Sequence, residues 1–158
     1  MKLAVIGENF EFLQNECYSG ERSVKINNLL TDYLMDYRDV IPVTNLDPGV
    51  GFIWSYLAME ENLPLIAIIP SSTFSTDFCE FDKNLYNEML GYRNIEVIIH
   101  SNGDVTAWKL DNRNRHIIAN SDVIILLGDN TKIKDLHNYG KYIRKEIIRV
   151  TTAEILKL

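Results

Sequence analysis

Six short runs of Ile, Val and Leu punctuate the chain, each apolar at consecutive rather than alternate positions. They are residues 2–7 (KLAVIG), 40–44 (VIPVT), 64–69 (PLIAII), 95–99 (IEVII), 122–127 (DVIILL) and 146–150 (EIIRV). A strand-length run with no polar face is one buried on both sides, as in a parallel sheet covered by helices. Between the first two runs, Ile26, Leu29, Leu30, Tyr33, Leu34 and Tyr37 recur at helical spacing and form a single apolar face. Val50, Ile53, Trp54, Leu57 and Ala58 repeat that pattern, and residues 82–91, 109–120 and 132–144 are further helix candidates. Strands alternating with helices need right-handed crossovers, which predicts a doubly wound α/β fold. Its sheet is expected to be mostly parallel, with about six strands and helices on both faces. Pro42 lacks a ladder donor, so the second strand is expected to lie at an edge there or to bulge.

No repeat, low-complexity tract or linker breaks the pattern, so residues 1–158 are expected to form one domain with its own core. Residues 71–81 (SSTFSTDFCEF) make the longest expected loop, whose phenylalanines either pack down on the domain or form a substrate lid. Apolar residues at 46% and charged residues at 24% argue against disorder. The net charge of -6 lacks the basic face that binds a phosphate backbone, so a nucleic-acid partner is not expected. It leaves room for one small anion in a nest of backbone amides. Cys17 and Cys79 are too few for a disulfide framework and lack CxxC spacing, as expected of reduced thiols in a cytoplasmic protein. No run approaches the roughly 18 apolar residues of a membrane span, and the first strand begins at once without a signal-peptide stretch. No membrane partner is expected.

Doubly wound sheets bind ligands outside the carboxyl ends of their strands. The segments to inspect are Gly7, Glu8 and Asn9, then Asn45 to Gly51, Pro70 to Thr73, His100 to Gly103, and Gly128 to Thr131. In the second of these, LDPGVG runs straight into a helical pattern. Free amides at a helix start favour an anion, and Gly49 and Gly51 let it come close. The plainer alternative is that Asp47 caps, Pro48 fills the first turn and the glycines only tighten the bend. Neither GxGxxG nor a Walker A loop is present, and no cofactor is expected. In LLGDNTKIKD, Thr131 is the expected cap of the last helix. Arg113, Asn114 and Arg115 either form a solvated helix face or send one side chain into the crevice, where a guanidinium suits phosphate or carboxylate. His100, His116 and His137 have no metal-ligand spacing, so no metal site is expected, and no GxSxG elbow occurs. Glu8, Asp47, Asp104, Asp122 and Asp129 are the carboxylates in reach, and geometry decides which of them acts as a base.

Four stretches in order, KLAVIGENF (2–10), TNLDPGVGFIWSYLA (44–58), PLIAIIPSSTF (64–74) and RNRHIIANSDVIILL (113–127), resemble the SLOG superfamily. That group includes the Lonely Guy nucleotide hydrolases, the DNA-uptake protein DprA and the YpsA/YspA-like proteins, and the last branch matches best. The resemblance implies a Rossmann-like fold that binds a nucleotide, nucleotide-sugar or other nucleotide-derived ligand, as a homodimer. It puts Gly7 at a first phosphate-side turn with Asn9 nearby, and Asn45, Gly49 and Gly51 along a second. Arg113 and Asn114 reach in, and Gly128, Asp129, Asn130 and Thr131 stand where the superfamily carries Gly-Gly-x-Gly-Thr. This chain departs from the pattern: GDNTKIKD has one glycine and no acid after Thr131 until Asp135, so the position of the superfamily's glutamate offers Arg113 no acidic partner. The residues therefore fit a nucleotide binder or sensor with little turnover. One alternative is an N-glycosidic enzyme, a phosphoribohydrolase or nucleoside deoxyribosyltransferase-like protein. Glu8 or Asp47 would then act as nucleophile or stabilise an oxocarbenium-like centre. Another is an interaction module displaying Phe74, Phe78 and Phe81.

Overall fold

A computed structural model describes residues 1–158 and bears out the alternation. The elements in order are β1 (Lys2–Gly7), α1 (Glu11–Asn15), α2 (Glu21–Met35), β2 (Ile41–Thr44), α3 (Val50–Glu60), β3 (Leu65–Ile69) and α4 (Glu80–Leu90). They continue with β4 (Ile95–Ile99), α5 (Ala107–Ala119), β5 (Val123–Leu127), α6 (Thr131–Tyr142), β6 (Glu146–Val150) and α7 (Thr152–Leu156). All six strands are parallel, in the order β4-β3-β2-β1-β5-β6. No helix is long and apolar enough to cross a membrane.

Consecutive apolar residues are needed because both faces of the sheet are covered. Leu3 and Val5 of β1, with Val123, Ile125 and Leu127 of β5, meet α2, α3 and α7 through Ile26, Leu30, Trp54, Leu57 and Ile155. The intervening residues Ala4, Ile6, Ile124 and Leu126 meet α5 and α6 through Ile117, Ile118, Ile133 and Leu136. Toward β3, α4 sets Tyr86 and Met89 against Ala67 and Ile69 on the first face. Each buried Ile or Leu contributes roughly 1.5–3 kcal/mol, so these two layers carry the fold.

Pro42 corrects the expectation of an edge or bulge. β2 is interior, paired with β1 through Leu3↔Pro42 and with β3 from Val43 onward. The Ile41 amide donates to Met1 O at 2.8 Å, so the alternation of the strand turns the nitrogen of Pro42 toward β3. Pairing with β3 has not begun at that residue, and no ladder bond is lost. The short helices α1 and α7 were not foreseen, since five residues are too few for a helical repeat to show.

At the carboxyl end of β4, the rings of His100 and His116 lie with centroids 5.1 Å apart. Burial, and then the proximity of His100, lowers the proton affinity of His116 below its ordinary value of 6.5. An unfolded chain thus takes up the proton more readily than the folded one. Stability is full above that value and falls as pH drops through 6.5 and below. The melting temperature is expected to fall between about pH 7 and about pH 5, and to fall less in His116→Gln, when thermal scans are run across that range.

Candidate functional site

From β1 the chain winds through α1 and α2 to β2 on one side, and from β5 it winds through α6 to β6 on the other. Neighbouring strands whose exits part in this way leave a crevice at their carboxyl ends. Here it encloses about 410 Å³. Gly7, Glu8 and Asn9 enter from β1, Asp47 from the loop after β2, Arg113 and Asn114 from α5, and Asn130 and Thr131 from the start of α6. Ile6, Leu110, Ile133 and Leu136 supply an apolar wall.

Arg113 reaches in and is completely consumed there. Its side chain is fully buried, with Nη1 and Nη2 donating to Asp47 Oδ1 and Oδ2 at 2.9 and 3.0 Å. Nη1 also donates to the Asn45 carbonyl at 3.2 Å and Nε to Asn114 Oδ1 at 3.0 Å, while the Phe74 ring lies 5.4 Å from the guanidinium carbon. Asn45 closes the network: its Nδ2 donates to Asp47 Oδ2 at 3.1 Å and its Oδ1 accepts the Asp47 amide at 3.0 Å. The acidic partner missing from the Gly128 loop is therefore Asp47, on a different strand's loop. A bidentate, charge-assisted pair of this kind fixes both side chains, and the Asp47 side chain keeps 33% exposure toward the crevice.

Glu8 is also engaged. Its Oε1 accepts the Asp129 amide at 2.8 Å. The hydroxyl of Thr152 sits between Glu8 Oε1 (3.1 Å) and Asp129 Oδ1 (3.0 Å) and donates to one of them at a time. Gly128 has φ +116°, and a Cβ there would run into the Glu8 carboxylate. The amide that the β5–α6 turn would offer an anion is thus filled by the protein's own carboxylate. The cap of α6 is Asn130, whose Oδ1 accepts the Ile133 amide at 2.9 Å; Thr131 is the first helical residue rather than the cap.

Gly49 and Gly51 do not line the crevice. Gly49, at φ +103°, is the N-cap of α3, and Asp47 does not cap that helix. The Gly49 amide donates to the Tyr18 hydroxyl at 3.0 Å. A Cβ on Gly51 would sit 2.5 Å from Asn45 Oδ1, and one on Gly7 would sit 2.5 Å from Val50 Cγ2. These two glycines are small because α3 and its entry loop pack directly on them. Asn45 is 1% exposed and lies behind Asp47, and Asp129 flanks the crevice through Glu8. The phenylalanine loop packs down: Phe74 is buried, set edge-on to Phe78 and Tyr86 at 5.0 and 6.0 Å between centroids. Of the three expected surface aromatics, only Phe81 is exposed.

Sequence reasoning missed Tyr18, whose hydroxyl accepts from Gly49 and donates to the buried Asp82 at 3.0 Å. Left-handed backbone at Cys17 (φ 50°) and Tyr18 (φ 59°) aims it there, a signal absent from composition or spacing. Burial first, and Asp82 next, raise the phenol above its ordinary range, so it stays protonated. Tyr18→Phe leaves one buried donor and one acceptor unpaired, and it is expected to cost about 1–3 kcal/mol in urea denaturation. Faster hydrogen exchange at the Gly49 amide in that variant would tie the loss to this bond. Lys132, Asp111 and Thr152 also border the site without having been foreseen.

No family model matches the sequence, and no curated protein matches it. Solved structures that share the fold include two DNA-processing proteins. DNA processing protein A from Helicobacter pylori superposes with a TM-score of 0.61 at 18% identity, covering 94% of this chain and 64% of that one. DprA from Streptococcus pneumoniae gives 0.57 at 12% identity, covering 99% of this chain and 60% of that one. The chain thus spans less than two thirds of either, and at these identities the likeness is one of fold. The H. pylori protein is described as binding single-stranded DNA in a unique mode. That corrects the expectation drawn from the net charge, because a chain of this fold can take nucleic acid as its partner.

Proposed function

We propose that the crevice between the β1 and β5 exits binds a nucleotide or nucleotide-derived ligand. The observation that carries this is the cavity itself. About 410 Å³ is bounded on one side by an apolar wall and on the other by polar side chains from four segments. That size and mixture suit a small ligand with an apolar ring and several hydrogen-bonding groups. The wall of Ile6, Leu110, Ile133 and Leu136 accommodates a base, and Asn9, Asp47 and Asn114 face the position of a sugar. The order of the glycine loop and the Arg113-Asn114 helix supports a place beside the YpsA/YspA-like proteins. Glu8 and Asp47 are held by donors on their protein side, which favours binding with little turnover over a nucleophile's role.

A second reading, favoured by the fold shared with the DprA structures, is that the ligand is a single strand whose terminal nucleotide enters the crevice. A thermal-shift panel of AMP, ADP-ribose, NAD, cyclic dinucleotides, nucleosides and short single-stranded oligonucleotides tests both. A ligand at about 100 times its dissociation constant stabilises by roughly 2.7 kcal/mol, a visible shift. A mononucleotide response supports the first reading, and a response to oligonucleotides alone transfers the site to the second. Silence across the panel removes both.

A further inference from the structure

This inference rests on the reading of the crevice as a nucleotide site and concerns which part of the ligand enters it. Two of the crevice's anion-binding groups, the Arg113 guanidinium and the Asp129 amide, are spent on the protein itself. Arg113, the one arginine lining it, is fully buried and bonded to Asp47, Asn45 and Asn114. The Asp129 amide, at the turn that would cradle a phosphate, donates to Glu8. The side chain of Asn130 is turned back to cap α6. Carboxylates face the empty volume from three segments, beside the side-chain amides of Asn9 and Asn114 and the Thr131 hydroxyl. Glu8 uses Oε1 for its internal bonds and leaves Oε2 without a protein partner. Asp47 is one-third exposed, and Asp111 has Oδ2 on Arg115 and Oδ1 free. Lys132, on the exposed side of the first turn of α6, is the one lining cation without an internal bond.

Arg113 and Arg115 already pair with Asp47 and Asp111, so the uncompensated charge inside the crevice is that of Glu8, and a phosphate beside it meets repulsion. A vicinal diol meets the reverse, since two hydroxyls donate to carboxylates in charge-assisted bonds. We infer that the interior of the crevice holds a neutral ribose-bearing moiety, its hydroxyls donating to Asp47 and Glu8 and its base on the apolar wall. Any phosphate stays outside, beside Lys132. The ligand class is a ribonucleoside, free or as the end of a larger molecule.

Isothermal titration of the whole chain with the four ribonucleosides, their 2′-deoxy analogues and their 5′-monophosphates, at low and high salt, tests this. One ribonucleoside is expected to bind with little salt dependence, and its monophosphate no more than about threefold tighter. The deoxy analogue is expected to bind about tenfold more weakly, for loss of one hydrogen bond to a charged acceptor. In Glu8→Gln, the affinity for the monophosphate relative to the nucleoside is expected to rise. A monophosphate more than about tenfold tighter than its nucleoside, with affinity falling steeply with salt, overturns the inference and leaves nucleotide binding intact. Equal binding of ribose and deoxyribose forms overturns it as well. No binding of any nucleoside or nucleotide removes the nucleotide reading and this inference together.

Discussion

Asp47→Ala is expected to lower folding stability by about 3 kcal/mol, more than any other single change at the crevice. The substitution leaves Arg113 fully buried and charged, with only the Asn45 carbonyl and the Asn114 amide oxygen as acceptors. Breaking a buried pair from one side typically costs roughly 3–5 kcal/mol, and the exposure of Asp47 admits water and places this case at the lower end. The opposite truncation is milder. Arg113→Met removes the charge that burial penalises, and the remaining carboxylate is already partly solvated. The double variant is expected to lie closer to the wild type than the sum of the two singles, with a coupling of about 1–3 kcal/mol. Urea denaturation of the four proteins provides the comparison, and in thermal scans the Asp47→Ala loss is a drop of roughly 6–12 °C. An Asp47→Ala protein within about 1 kcal/mol of wild type would show that Arg113 does not depend on this partner.

Trp54→Ala is expected to cost about 3–5 kcal/mol, and here the mechanism is packing. Trp54 has no exposed surface and lies on α3 against the β1 and β5 side chains of the first face. Its Nε1 donates to the Val43 carbonyl at 3.1 Å, one residue before Thr44. Thr44 in turn accepts the Leu46 amide at 3.1 Å, so Trp54 buttresses the strand end from which Asp47 is carried. Trp54→Phe keeps most of the ring and leaves that carbonyl unpaired, and it is expected to cost about 1–3 kcal/mol. Circular dichroism is the suitable probe, because the phenylalanine variant retains only Trp108, which is exposed and reports poorly on unfolding. If the Trp54→Phe loss equals that of Trp54→Ala, the hydrogen bond rather than the cavity dominates.

The strands were legible because both-sided burial leaves an unbroken apolar run, and DVIILL carries that run into the centre of the sheet as β5. Pro42 was misread, since a missing donor matters only where a neighbour is already paired, and β3 joins one residue later. The glycines were ambiguous for a similar reason. A glycine permits close approach without saying what approaches: for Gly7 it is Val50, and for Gly51 it is Asn45. Arg113 was readable as a residue that turns inward. Its partner lies 66 residues away in the chain, and that of Glu8 lies 121 away, separations at which spacing carries no signal. Tyr18 was hidden because two consecutive left-handed residues, neither of them glycine, direct its hydroxyl.

Glu8 has a further consequence, one of timing. It leaves the ribosome with β1 but finds the hydroxyl of Thr152 only 144 residues later. At roughly 5–20 residues per second, that is about 7–30 s of synthesis. For most of that interval β1 has no β5 beside it and its apolar residues await half of their cover. The nascent chain therefore has no formed crevice for most of that time, and the crevice closes only once α6 and Thr152 have emerged. Until then, the apolar residues of β1 that later meet α6 have no cover from that side.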